Sequence, residues 1–289
     1  MIKLIATDMD GTLLNAAHEV SEENIKAIKY AQQQGVTVVI ATGRAFYEAS
    51  TPIAETDLCV PFICLNGAEV RDETFNILHT SHLNHELTQR IQNVLKDHDT
   101  YYQIYTNRGI YTENPDKDLE IYMDIAKHAG QQGDIDKIRA GIQKRIDNGT
   151  LNIVKNYDDI EEIPGEIIMK ILAFNPDLEK LTKIEQLLAQ SPNLAVSSSA
   201  RGNLEITHSD AQKGIALETI AEQLRIDLAD VMAIGDNLND MSMLERVGYP
   251  VAMANATQAV KDAAVYVTDT NEQSGVGKAI MKLLQSENK

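Results

Sequence analysis

The sequence predicts an α/β protein, a doubly wound parallel sheet into which a second, α+β unit is inserted. Three observations predict it. Near-continuous apolar runs at Ile2–Ala6, Val36–Ala41, Phe62–Leu65 and Val231–Ile234 read as strands buried on both faces. Helical patterns lie between them, so strand, helix, strand, helix, strand opens the chain as a doubly wound fold does. This alternation stops near His82 and resumes after Thr207, which marks what lies between as an insertion.

The first strand ends in Thr7-Asp8-Met9-Asp10-Gly11-Thr12, two carboxylates, a glycine and two threonines just past the carboxyl end, where an open α/β sheet places its ligands. Period two puts Asp8 and Asp10 on one side of the backbone, where both stay charged comfortably only beside a cation. A hard divalent metal such as magnesium supplies that cation, leaving Asp8 ionised and Asp10 free to carry a proton. Three blander readings compete. A surface turn suits Asp and Gly. An EF-hand loop matches Asp8, Asp10, Thr12 and Glu19 but has Leu13 where glycine is needed. A helix N-cap lacks a helical pattern directly after Asp10.

Ser21 caps a helix with apolar Ile25, Ile28 and Ala31 that ends at Gly35. Thr42-Gly43-Arg44 follows the second strand, and the Thr42 hydroxyl beside helix N-terminal N–H groups would seat a phosphoryl oxygen, although such a threonine is more often simply a cap. After the third strand and Asn66-Gly67, Glu69-Val70 and Phe75–Leu78 form a small hairpin turning at Asp72-Glu73. In the insertion, a helix around Leu87–Leu95 precedes strand-like Tyr101–Tyr105 and Gly109–Tyr111, a polar helical region at 119–129, and a charged, poorly periodic stretch at 131–149. Strand-like Ile167–Phe174, a helix from Asp177 to about Ala189 and a hairpin of Leu194–Ser198 with Asn203–Ile206 complete a unit with an antiparallel sheet. Beyond it come a helix at Gln212–Leu224 opened by Lys213-Gly214, the strand Val231–Ile234, and Gly235-Asp236-Asn237-Leu238-Asn239-Asp240 at that strand's end. A short helix at Met241–Arg246, strands at Val251–Met253 and Ala264–Val267, and a helix near Gly277–Leu284 follow. Lys213 offers a fixed positive charge, though a lone lysine is usually solvated. Asp236, Asn239 and Asp240 add carboxylates with no compensating Arg or Lys in sequence, which favours metal ligation over a turn.

Across 289 residues the formal charge is −17, which disfavours nucleic acid and anionic membranes as partners, since both bind by phosphate neutralisation. Cys59 and Cys64 have no metal or redox spacing. No apolar stretch approaches a membrane span, and a cytoplasmic location is the expectation. His79, His82 and His85 lie at the junction with the insertion and are not a zinc site. Ser197, Ser198 and Ser199 show no nucleophile elbow and read as a strand end. The tyrosines at 101, 102, 105 and 111 read as sheet packing rather than a base-stacking platform.

Taken together, Asp8-Met9-Asp10-Gly11-Thr12, Thr42-Gly43-Arg44, Lys213-Gly214 and Gly235–Asp240, with Asn66-Gly67-Ala68 between, resemble the four ordered motifs of the haloacid dehalogenase superfamily. Within it, the chain resembles the Cof-type phosphatases with a type IIB cap. The resemblance implies a Rossmann-like catalytic core at 1–83 and 207–289 and an α+β cap at 84–206. It further implies magnesium-dependent hydrolysis of small phosphate monoesters, sugar phosphates foremost, through an aspartyl-phosphate intermediate. Asp8 would be the nucleophile and Asp10 the general acid/base. Asp8, the Asp10 backbone carbonyl and Asp236 would bind Mg2+. Thr42, Gly43, Lys213 and Asn239 would hold the phosphoryl group, with Asp240 behind Lys213 or a metal-bound water. The cap, attached by two short connections, would act as a hinged lid that sets leaving-group choice. Two departures, Asp210-Ala211-Gln212 before Lys213 and Ala254 in Met253–Ala256, touch none of these groups. A phosphomannomutase-like transferase and a non-catalytic phosphometabolite sensor are the alternatives; the sequence does not address oligomeric state.

Overall fold

The computed structural model describes residues 1–128, 134–198 and 201–287. Five strands come first: β1 (Leu4–Thr7), β2 (Thr37–Ala41), β3 (Phe62–Cys64), β4 (Glu69–Arg71) and β5 (Ile77–Thr80). Six more follow, β6 (Tyr101–Thr106), β7 (Ile110–Thr112), β8 (Leu151–Ile153), β9 (Ile168–Phe174), β10 (Leu194–Ser197) and β11 (Asn203–His208). The last three are β12 (Val231–Gly235), β13 (Tyr249–Ala252) and β14 (Tyr266–Val267). The chain forms two compact units, Met1–Thr80 with Ala211–Lys289, and Ser81–Asp210.

The first unit holds one sheet in the order β14-β13-β12-β1-β2-β3-β4-β5. Its strands pair in parallel from β14 to β3, and β4 and β5 add an antiparallel edge. β1 is central and wholly buried, as its unbroken apolar run requires. The helix Glu22–Gln33 starts where Ser21 accepts a hydrogen bond from the Asn24 N–H. Asn24 is itself buried: its Nδ2 donates to the Leu13 carbonyl at 3.1 Å and its Oδ1 accepts from the Gly277 N–H at 2.8 Å. One satisfied amide thus ties the loop after β1 to the last helix, Gly275–Glu287.

Several elements differ from the sequence reading. The edge hairpin is shifted: Phe75 lies in the turn at φ 71°, where Asp72 accepts from the Thr74 and Asn76 N–H groups, and the second strand starts at Ile77. The helix after Gly235–Asp240 starts at Met241 as expected, directly behind a 3-10 turn at Leu238–Asp240, but ends at Leu244 rather than Arg246. The last helix extends beyond the expected Gly277–Leu284 at both ends. The helix expected between the second and third strands spans Phe46–Ala54, with Pro52 inside, and the helix at Gln258–Ala263 had no clear periodic signal.

The second unit's sheet runs β10-β11-β9-β6-β7-β8. It is antiparallel except for β7 and β8, which pair in parallel, a correction to the wholly antiparallel expectation. The charged stretch contains a helix at Ile135–Asp147, capped by Asp134, while residues 129–133 and Ser199 lie outside the described residues. Leu87, Ile91 and Leu95 of one helix and Leu181, Ile184 and Leu188 of another share a core with Tyr102, Ile104, Ile171 and Ile206 of the sheet. Tyr102 and Tyr157 pack against each other within it at a tilt of 32°, ring centroids 4.7 Å apart.

Asp118, on the helix Pro115–His128, is buried in this unit. One of its oxygens accepts from the Tyr101 hydroxyl and from Gln103 Nε2, and the other has no hydrogen-bond partner among the described residues. Burial therefore lifts its pKa above the ordinary aspartate value despite the opposing Tyr101 hydrogen bond. A carboxyl raised in the folded state gives stability that is complete below its unfolded value and is lost as pH rises through the folded one. Asp118→Asn keeps an acceptor and drops the charge. It is expected to be more stable than the wild type at pH 8 by about 1 kcal/mol, the gap closing toward pH 4. Urea unfolding of both proteins across that range checks this; a gap that widens toward acid contradicts it.

Candidate active site

Asp8, Thr42 and Asp236 stand at the carboxyl ends of three adjacent parallel strands. Register places Thr7 beside Ile40 of β2 and Ile234 of β12, and the Asp8 N–H donates to the Ile234 carbonyl at 2.9 Å. Asp8 is thereby fixed one residue past β1, with Asp236 one residue past β12.

Lys213, the first residue of the helix Lys213–Leu224, joins the cluster fully buried. Its ammonium donates to Asp8 Oδ1 and to Asp240 Oδ1, each at 2.6 Å. Asp240 is equally buried, and its Oδ2 accepts from the Asp236 and Asn237 N–H groups at 2.9 and 3.0 Å. Both Asp240 oxygens are thus engaged, one orienting Lys213 and the other shaping the loop. Gly235 makes this possible, since a Cβ there would lie 2.5 Å from the Asp240 side chain. Asp236 Oδ1 accepts from the Thr12 hydroxyl at 2.9 Å, and a Cβ on Gly11, at φ 76°, would meet Asp236 Oδ2 at 2.6 Å.

The electrostatics follow from one ammonium among three carboxylates. Burial would lower the Lys213 pKa, but Asp240 and then Asp8 outweigh it and hold it above the ordinary lysine value. Burial and then Asp240 push Asp8 up to about 8 against the attraction of Lys213. Asp236 is raised as well, by burial first, with the Thr12 hydrogen bond opposing. Lys213 stays charged and is shared, so the cluster remains short of positive charge. One ligand oxygen from each of Asp8, Asp236 and Asp240 lies within 4.8 Å of the others. That all-oxygen donor set and its charge deficit fit a hard divalent cation. Both Asp240 oxygens accept hydrogen bonds, whereas Asp8 and Asp236 each accept at Oδ1, so these two side chains are the ones that could hold such a cation.

The remaining expected site residues have partners of their own. The half-exposed Asp10 carboxylate, in the turn that follows β1, pairs with Arg44. Thr42 does not begin a helix. The helix after it starts at Phe46, and Thr42-Gly43-Arg44 is the loop ahead. Thr42 is fully buried, its Oγ1 accepting from the Arg44 N–H at 3.1 Å, so its hydroxyl hydrogen remains available to donate. Asn239 Nδ2 donates to Asn66 Oδ1 at 3.1 Å, and a Cβ on Gly43 would meet that same oxygen at 3.2 Å. Leu65, Asn66 and Gly67 are consecutive left-handed residues at φ 50°, 57° and 109°. The Asn66 N–H donates to the Thr42 carbonyl and the Leu65 N–H to that of Arg44, so this turn braces the Thr42 loop.

Arg44, Thr12, Asn66 and Asn255 were the functional neighbours that sequence reasoning left without a role. Asn255 Nδ2 donates to the Gly11 carbonyl at 2.7 Å, and its Oδ1 accepts from the Asn271 N–H. Asn66-Gly67 was visible as a motif, whereas nothing in the sequence marks the pairing of Asn255 with Gly11.

Carboxylates, a shared lysine and a threonine hydroxyl at the carboxyl edge of a doubly wound sheet define a hydrolase of the phosphoryl-transfer kind. A family model described as haloacid dehalogenase-like hydrolase matches residues 5–280, and the chain belongs to that family as a phosphatase. It is 33% identical over 285 residues to phosphatase YwpJ of Bacillus subtilis, covering 98% of this chain and 100% of that one. It is 31% identical over 287 residues to the B. subtilis 5-amino-6-(5-phospho-D-ribitylamino)uracil phosphatase YwtE, covering 99% of each. A solved haloacid dehalogenase-like hydrolase from B. subtilis matches with a TM-score of 0.83 at 33% identity, over 98% of this chain and 100% of that one.

Proposed function

We propose that this protein is a magnesium-dependent phosphatase of small phosphate monoesters, sugar and sugar-alcohol phosphates foremost, with Asp8 as nucleophile. The observation that carries the proposal is the buried Asp8, Lys213, Asp236 and Asp240 cluster. Asp8, Asp236 and the Asp10 backbone carbonyl would hold magnesium, which supplies positive charge facing the phosphoryl oxygens when bound. An Asp8 oxygen attacks phosphorus, forming an aspartyl phosphate as the bond to the ester oxygen breaks, and Asp10 protonates that oxygen. Asp10 then takes a proton from the water that attacks the same phosphorus, releasing phosphate and restoring Asp8. Lys213 and the Thr42 hydroxyl donate to the phosphoryl oxygens, with the Gly43 backbone and Asn239 alongside. Asp240 keeps Lys213 aimed at Asp8.

The substrate class draws on the family and on YwtE, whose name specifies a phosphate ester on a ribityl chain. The acidic charge, −17, argues against polyanionic macromolecules as substrates. Among the described residues no helix is long and apolar enough to cross a membrane. The test is a steady-state assay of inorganic phosphate release from hexose, pentose and sugar-alcohol phosphates, with magnesium and with chelator. Turnover of several of these esters that chelator removes and magnesium restores is expected. Turnover confined to phosphoproteins or polynucleotide ends, or undiminished in chelator, contradicts the proposal.

A further inference from the structure

Asp10 is held at two points. Asn255 bonds the carbonyl of the next residue, Gly11, and Arg44 grips the carboxylate itself. Arg44 Nε donates to Asp10 Oδ2 at 2.8 Å and Nη2 to Oδ1 at 2.5 Å, a two-pronged contact that fixes the carboxylate plane as well as its position. The Arg44 backbone is in turn anchored, its N–H donating to Thr42 Oγ1 and its carbonyl accepting from the Leu65 N–H within the left-handed turn, and at the guanidinium His18 Nδ1 lies 3.5 Å from Nη2. The side chain of Asp10 is about half exposed, so packing alone leaves its rotamer free.

We infer that Arg44 is a positioning residue for Asp10, setting the orientation from which this carboxyl exchanges protons with the leaving oxygen and with water. The inference rests on the reading of Asp8 and Asp10 given above. Arg44 makes no bond to substrate in this role; it acts through the Asp10 rotamer. Its influence therefore falls on esters whose leaving oxygen needs a proton and spares those whose leaving group departs as a stable anion.

The experiment compares wild type, Arg44→Ala, Arg44→Lys and Asp10→Asn in single-turnover phosphorylation of Asp8 and in steady state. A hexose 6-phosphate and p-nitrophenyl phosphate serve as substrates. For the hexose ester, Arg44→Ala is expected to lower kcat by about 10- to 100-fold with KM changed by less than about threefold. Phosphorylation by the nitrophenyl ester is expected to change by less than about threefold, because its leaving group needs little protonation. Guanidinium added to Arg44→Ala is expected to restore part of the loss, whereas Asp10→Asn gains nothing from it. Arg44→Lys, which keeps the charge but not the fork, is expected to fall between wild type and Arg44→Ala. Combining Arg44→Ala with Asp10→Asn is expected to add nothing to Asp10→Asn alone. A raised KM with kcat retained makes Arg44 a substrate-binding residue and overturns the inference, as does equal loss on both esters without rescue. A wild type that never phosphorylates Asp8 overturns the proposed function as well. A normally phosphorylating wild type beside an unaffected Arg44→Ala overturns this inference alone.

Discussion

Asp8→Asn is expected to reduce phosphate release on the order of 10⁴-fold or more, since it removes the proposed nucleophile. The same change is expected to leave the fold intact and, in chelator, to raise the melting temperature by a few degrees. Asp8 is a buried carboxylate lifted to about 8 by burial and by Asp240. An asparagine removes that unfavourable ionisation while its oxygen still accepts from Lys213. A stabilising change at a residue indispensable to turnover is the expected mark of a site whose arrangement opposes its own stability. Thermal unfolding and phosphate release on the same preparations check both halves, and loss of activity accompanied by loss of folded structure contradicts the account.

Lys213→Ala carries the second large effect, with the opposite consequence for stability. It leaves Asp8 and Asp240 buried without their shared ammonium, beside the partly buried Asp236. Breaking a buried ion pair by removing one partner costs about 3 to 5 kcal/mol, and the remaining carboxylates then repel one another. Activity is expected to fall by about 10²- to 10³-fold in addition, the scale of losing a fixed donor to transition-state charge. Magnesium is expected to recover part of the stability and little of the rate, because it meets the charge deficit but not the donor geometry. Denaturant unfolding with and without magnesium, alongside kcat, separates the two. A variant as stable as the wild type in chelator contradicts the charge balance described here.

What the sequence revealed and what it concealed divide along a physical line. Asp8 and Asp236 were readable because each follows a strand apolar on both faces, and a carboxylate at the end of such a buried run stands where a parallel sheet binds its ligands. Lys213 was readable only as a motif, because its partners Asp8 and Asp240 lie 205 and 27 residues away. Asp10 was readable as part of an acidic motif, but its partner was not: Arg44, which grips its carboxylate, lies 34 residues away. Asn24 and Asn255 look like ordinary polar residues, and only the folded chain shows that each satisfies a backbone group of the loop after β1. The β7–β8 pair escaped for a related reason: β8 has three residues, too few for a periodic signal, and two helices separate it from its parallel partner β7. The helix between the second and third strands was expected, but its bounds, Phe46–Ala54, were not, since Pro52 removes an N–H from its interior.

The most direct test of Asp8 as nucleophile is acid quenching of a single turnover with a radiolabelled sugar phosphate in the presence of magnesium, followed by peptide mapping. Label on the peptide containing Asp8, stable in acid, released by hydroxylamine and absent from Asp8→Asn, is the expected result. Phosphate release with no labelled protein at any time, or label that persists in Asp8→Asn, would contradict it.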